Sequence, residues 1–256
     1  MLLRLFLPLL LLATPTPAPS LPASFVPPPI LMYHRVDVDR PADRVGRELT
    51  VTPAQLAAQL GYLKSRGIAA ISMAQLQRRL ESGKPLDHLV VLTFDDGYAD
   101  QYAYAMPLLR TYGSRATFYI VTGEVGRPRH LTWEQLRAME SEHMDLAAHG
   151  VFHDDLSRMT PAQQVFQIDD SVSALQAGLH ERVDSYAYPS GRFNRTTLQI
   201  IGAAGVTLAV TTDPINVLPP ENRFEMTRVR VRGEWSISDF AAAVQSAMLR
   251  LRVVFR

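Results

Sequence analysis

The chain has 256 residues and no cysteine. It therefore has no disulfide, no thiolate metal ligand and no attachment point for a lipoprotein anchor, so its stability must come from a packed core. Lysine is nearly missing, at positions 64 and 84 only, and arginine carries almost all the positive charge. A net charge is lacking too. The formal value is +1, and Arg4 lies in a segment expected to be removed, which leaves basic and acidic residues equal in number. That balance gives no support for a nucleic-acid partner or for electrostatic docking on a membrane. There is no glycine-rich phosphate loop and no Gly-x-Ser-x-Gly elbow, which argues against a nucleotide partner and against the common serine esterases. Beyond the N-terminus, no apolar stretch is long enough to cross a bilayer.

What is present begins with one positive charge and a short apolar run, Met1 to Ala13, followed by small residues and prolines through Ser24. This is the layout of a secretory signal peptide, too short to span a membrane comfortably. The expectation is export to the periplasm or the extracellular space, with cleavage after Ala18 or Ala23. If uncleaved, the run would give a loose membrane association. Residues 14–29 read as an extended linker, with 1–24 as signal peptide and linker start and 25–256 as a single domain. With 47% apolar and 20% charged residues the domain is globular, and a monomer is expected.

After Pro29, strand-like and helix-like segments alternate to the end. Leu89 to Phe94 is an apolar strand, as are Ile30 to Tyr33, Ala116 to Val121, Met144 to Ala148 and Ser185 to Tyr188. Strands that are continuously apolar are buried on both faces, as in a parallel sheet covered by helices. Thr52-Pro53, Thr132 with Gln135, and Thr160-Pro161 mark helix starts, the last opening a long helix to Leu179. An open doubly wound sheet and a closed barrel both fit. Polar residues just past the strand ends favour a (β/α) barrel of about seven βα units, whose active site would lie on the carboxyl face.

Asp95-Asp96-Gly97 ends one of these strands. Two adjacent carboxylates there repel and lose solvation unless a cation or hydrogen bonds compensate. If one ligates a metal, the other is free to take a proton from water; the alternative is an ordinary Asp-Gly turn. His149 and His153 follow another strand at i and i+4, so a helical turn after the strand would let both bind one cation. Two imidazoles and a carboxylate leave positions open for water and substrate. His34 ends the first strand and is either a general acid or a core histidine. Pro189-Ser190-Gly191 can turn a backbone N–H into the mouth as an oxyanion donor, or be a plain turn. Asp213-Pro214 follows a strand end and can orient a histidine, although a plain turn fits better. Trp133 and Trp235 can stack on a sugar or simply pack the core.

At these residues the chain resembles the polysaccharide deacetylases, the NodB-homology or carbohydrate esterase family four. Thr93-Phe94-Asp95-Asp96-Gly97 resembles the family's first motif. His149-x-x-x-His153 resembles the second, with Gly150 where Ser or Thr is usual, and Tyr188-Pro189-Ser190-Gly191 is similar to the third. The resemblance implies a distorted (β/α) barrel and hydrolysis of an N-acetyl group from a glycan. It implies Asp95 as general base, and Asp96, His149 and His153 as ligands of one divalent metal: zinc, with nickel, cobalt or iron as alternatives. It also implies the Ser190 N–H as oxyanion donor. Three departures stand out. Ala187 occupies the place of the arginine that precedes the third motif, Ser190 that of a tyrosine, and Thr227-Arg228-Val229-Arg230-Val231 replaces the late Leu-x-His motif that supplies the acid. The poly-β-1,6-N-acetylglucosamine deacetylase branch takes its acid from an early Tyr-His-Arg segment, which Tyr33-His34-Arg35 resembles. This makes His34 the expected general acid. Other readings on the same fold are an inactive glycan-binding protein, or a deacetylase of peptidoglycan or of an O-acetylated glycan.

Overall fold

The computed structural model describes residues 27–212 and 223–253. The expected signal peptide and Asp213-Pro214 lie outside the described residues. The strands are β1 (Ile30–Tyr33), β2 (Arg35–Val36), β3 (Thr50–Val51), β4 (Ala69–Ile71), β5 (Leu89–Phe94), β6 (Thr117–Ile120), β7 (Asp145–Ala148), β8 (Ser185–Ala187), β9 (Leu208–Val210) and β10 (Val229–Arg230). The helices are α1 (Arg44–Leu49), α2 (Pro53–Ser65), α3 (Met73–Glu81), α4 (Met106–Tyr112), α5 (Trp133–Ser141), α6 (Pro161–Val165), α7 (Ser171–Gly178), α8 (Arg195–Ala203) and α9 (Ile237–Val253).

Eight of the strands form one parallel sheet, seven of them in the order β10-β1-β5-β6-β7-β8-β9 and β4 off that path. β4 joins the first half of β5, on the side where β6 takes Thr93 and Phe94. β2 and β3 pair separately. The two edges of the sheet meet through one segment. Met226 bridges Val210 in parallel, with Thr211 N–H donating to Met226 O at 2.8 Å and Met226 N–H to Ala209 O at 3.0 Å. Shortly after it, β10 pairs with β1. The stretch from Met226 to Val231 is therefore the seam of a distorted (β/α) barrel, the expected fold class.

The strands are apolar on both faces because each face meets a different core. Outward residues such as Leu92, Phe94 and Phe118 pack with the helices. Inward residues Ile30, Val91, Tyr119, Ala147, Ala187 and Val210 form a second cluster, which includes Met73, Leu76 and Leu80 of α3. The start of α3 is tied to the first residues of two strands: Met73 N–H donates to Thr117 Oγ1 (2.8 Å) and Ala74 N–H to Asp145 Oδ2 (3.0 Å). So α3 plugs the amino end of the barrel, and the carboxyl ends are left as the open face.

The capping boxes at Thr52 and Thr132 are present. The long helix expected from Thr160 to Leu179 is α6 and α7 joined by a π-helical turn, Phe166–Asp170, and a second π-helical turn, Gln101–Ala105, precedes α4. Trp133 and Trp235 pack against the outer core, Trp133 so closely on Gly178 that a Cβ there would collide with its ring.

Candidate active site

The site residues sit where strands end and the backbone must turn. Asp95 follows β5, its N–H donating to Tyr33 O at 3.0 Å, which locks the ends of β5 and β1 together. Asp96 then takes φ 74° and Gly97 φ 70°. A left-handed conformation at a non-glycine residue is a strained geometry that tends to mark function, and here it turns the second carboxylate away from the first. Past β7, His149 is 2% exposed and its N–H donates to Ile120 O at 2.9 Å.

Asp96, His149 and His153 converge, each offering a ligand atom within 4.8 Å of the others. Asp96 Oδ1 lies 3.5 Å from His149 Nε2 and 3.7 Å from His153 Nε2. The expected helical turn between the histidines is absent. Gly150 adopts φ 84°, a Cβ there would stand 2.9 Å from Phe152 O, and a tight loop brings the imidazoles to a ring separation of 5.0 Å. The glycine where the second motif usually has Ser or Thr is thus a requirement of this loop.

These groups fit a divalent cation. His149 Nδ1 donates to Ala187 O (2.7 Å), which leaves Nε2, turned toward Asp96, as the nitrogen that carries a proton or binds a cation. Two imidazoles and one carboxylate are borderline-hard donors suited to zinc and its neighbours. Burial alone would raise the Asp96 carboxyl, but the hydrogen bond and charge of His149, with His34 and His153, hold it well below the usual carboxylate range. Burial likewise opposes charge on His149, and the Asp96 and Asp95 carboxylates outweigh it, so its pKa rises.

Asp95 has a partner that the sequence reading passes over. Arg228, from the barrel seam, donates from both guanidinium nitrogens to the two carboxylate oxygens of Asp95, at 2.7 Å each. It also reaches Thr93 Oγ1 (3.1 Å) and Thr211 O (3.0 Å), and its guanidinium lies 5.6 Å over the Tyr119 ring. Burial would raise the Asp95 carboxyl; Arg228 and the neighbouring imidazoles carry it below its ordinary value. Position 187, where the resemblance would place an arginine, is alanine, and the site nevertheless contains one. The guanidinium arrives from the residue just ahead of β10, 133 residues along the chain from Asp95. Arg228 lies between Thr227 and Val229, and no local pattern marks it for burial; its carboxylate partner is supplied only by the folded barrel.

His34 follows β1 beside this pair. Its Nδ1 is buried with no hydrogen-bond partner among the described residues, and burial lowers its pKa against the pull of Asp95 and Asp96. Ser190 stands three residues beyond Ala187 on the same face, at φ 55°, with its carbonyl accepting from Thr212 Oγ1 at 3.3 Å. Gly191 follows at φ 68°, where a Cβ would lie 2.2 Å from Thr212 Oγ1.

Two adjacent carboxylates thus have different partners, a guanidinium for one and two imidazoles for the other. That arrangement has counterparts among known proteins. A family model described as polysaccharide deacetylase matches residues 82–209. YxkH of Bacillus subtilis (strain 168), which carries the name of a polysaccharide deacetylase, is 32% identical over 219 residues, 85% of this chain and 76% of that protein. The poly-β-1,6-N-acetyl-D-glucosamine N-deacetylase of Escherichia coli (strain K12) is 31% identical over 136 residues, 46% of this chain and only 20% of that longer protein. The structure of the Streptococcus pyogenes deacetylase PplD in complex with acetate superposes with a TM-score of 0.78 at 32% identity, covering 85% of this chain and 97% of that one. With the first two motifs at the carboxyl face of the barrel, this chain belongs to the polysaccharide deacetylase family.

Proposed function

We propose that the chain is a metal-dependent hydrolase that removes N-acetyl groups from an exported N-acetylglucosamine-containing polysaccharide. The observation that carries the reading is the division of the adjacent carboxylates, with Asp95 clamped by Arg228 and Asp96 facing His149 and His153. A divalent ion held by Asp96, His149 and His153 supplies Lewis acidity toward an acyl oxygen and acidifies water. Asp95, held anionic by Arg228, accepts the proton of the attacking water. The Ser190 N–H faces the oxygen that gains charge as the acetamide carbon becomes tetrahedral. His34 then protonates the nitrogen as the C–N bond breaks, which releases acetate and leaves an amine on the sugar. The bound guanidinium also removes a reason for reading the chain as an inactive glycan-binding protein.

The early Tyr33-His34-Arg35 segment and the similarity to poly-β-1,6-N-acetylglucosamine deacetylases support a substrate of that linkage. They also support an exported, biofilm-type role. The test is acetate release from β-1,6-linked N-acetylglucosamine oligomers, chitin oligomers and peptidoglycan, before and after chelation and with metal restored. Release from the β-1,6 oligomers that is lost on chelation and regained with metal supports the reading. Release only from peptidoglycan or only from chitin oligomers reassigns the substrate, and none from any of them returns the chain to a binding role.

A further inference from the structure

Two buried glutamines hold the catalytic segments by their main chains. Gln101 opens the π-helical turn before α4 and is fully buried. Its Nε2 donates to His34 O at 2.7 Å and to Asp95 O at 2.6 Å. The amide cannot be turned round, because its oxygen would then face two carbonyl oxygens. Gln101 therefore straps the residue proposed as acid to the residue proposed as base, and reaches neither side chain.

Gln167 lies in the π-helical turn between α6 and α7 and is 2% exposed. Its Oε1 accepts from Val151 N–H (3.0 Å) and Phe152 N–H (2.8 Å), and its Nε2 reaches Asp154 Oδ2 at 3.3 Å. Val151 and Phe152 lie between His149 and His153. That loop has no helical hydrogen bonds to hold it. On one side Gly150 O and Val151 O accept from Thr122 and Gly123 N–H, and on the other Gln167 supplies, among the described residues, the acceptor for two consecutive amides. A π-turn interrupts the regular helical ladder, and such turns recur at functional sites. Here each of the two carries a glutamine aimed at the catalytic main chain.

We propose that these glutamines are positioning residues with separate duties. Gln167 sets the spacing of His149 and His153 and so the affinity for the metal, and Gln101 sets the spacing of His34 and Asp95 and so the acid–base step. This rests on the reading of the site given above. The variants are Gln167→Met, similar in length but without an acceptor; Gln167→Asn, one methylene short, should methionine not fold; Gln167→Glu combined with Asp154→Asn, which keeps the acceptor and exchanges the donor and acceptor of the pair; and Gln101→Met. Each is checked for native circular dichroism. Zinc affinity is then measured by competition with a chelating dye, and the cobalt-substituted absorption spectrum is recorded. Gln167→Met or Gln167→Asn should bind zinc about 10- to 100-fold more weakly and change the cobalt spectrum, with the pair Gln167→Glu and Asp154→Asn restoring both. At saturating metal the Gln167 variants should regain turnover. Gln101→Met should bind zinc as the wild type does, with kcat about tenfold or more lower, KM unchanged and a displaced pH–rate profile. The proposal is overturned if Gln167→Met and Gln167→Asn bind zinc like the wild type, or if both glutamines affect affinity alike. If the wild type binds zinc but releases no acetate, the functional reading fails, and the affinities of the Gln167 variants still decide their part.

Discussion

Arg228 and Asp95 meet through two parallel hydrogen bonds of 2.7 Å, with the arginine side chain 0% and the aspartate side chain 2% exposed. A fork-to-fork pair of this kind fixes the carboxylate in orientation as well as in charge. It also joins the barrel seam to the end of β5, so closure of the fold and preparation of the base depend on one contact.

Removing the arginine alone leaves a buried carboxylate without a cation. Arg228→Met should lose about 3–5 kcal/mol of stability and nearly all activity. Arg228→Lys keeps the charge without the fork, and should stay folded with a much reduced kcat. The double variant Asp95→Asn with Arg228→Met should recover much of the lost stability while remaining inactive. Urea denaturation beside acetate release checks all three, and a double variant no more stable than Arg228→Met would contradict the electrostatic origin.

The third-motif turn separates backbone from side chain. Ser190→Ala removes only a hydroxyl and should leave activity within about threefold, because the N–H is the group used. Gly191→Ala places a Cβ 2.2 Å from Thr212 Oγ1 at a φ of 68°, so the turn must move. It should cost about 1–3 kcal/mol and lower kcat more than it raises KM. Steady-state kinetics on both variants would refute the assignment if Ser190→Ala were the more damaging.

Asp145 gives a pH test away from the site. It accepts from Thr117 Oγ1 and Ala74 N–H, and burial nevertheless raises its carboxyl above the ordinary value. The folded state therefore holds its proton to higher pH than the unfolded chain. Its ionisation opposes folding, so stability falls as pH rises from about 4 through the raised value. Asp145→Asn keeps an acceptor oxygen and loses the charge. Its stability relative to wild type should improve between pH 4 and pH 7 in urea melts; a difference that does not change with pH would rule out this origin.

Much of the barrel is legible in the sequence because parallel strands buried on both faces are continuously apolar, and Leu89–Phe94 is bounded as expected. Capping boxes announce α2 and α5 for a local reason: the side chains at Thr52 and Thr132 satisfy amides within the same turn. By contrast, α1 and the β2–β3 pair are short, and no periodicity develops over so few residues. In the site, the Asp95-Asp96 and His149/His153 pairs are local motifs and were readable. The loop geometry of the histidines depends on Gly150 and on Gln167 in a distant helix. Arg228 is invisible locally because its partner is fixed only when the barrel closes.

The most direct test of the divided carboxylates is metal content and acetate release measured together on Asp95→Asn. The predicted result is one divalent metal per chain, as in the wild type, with acetate release lowered about 10²- to 10⁴-fold. Retained activity, or loss of the metal along with the activity, would contradict the assignment of the proton to Asp95 and the metal to Asp96.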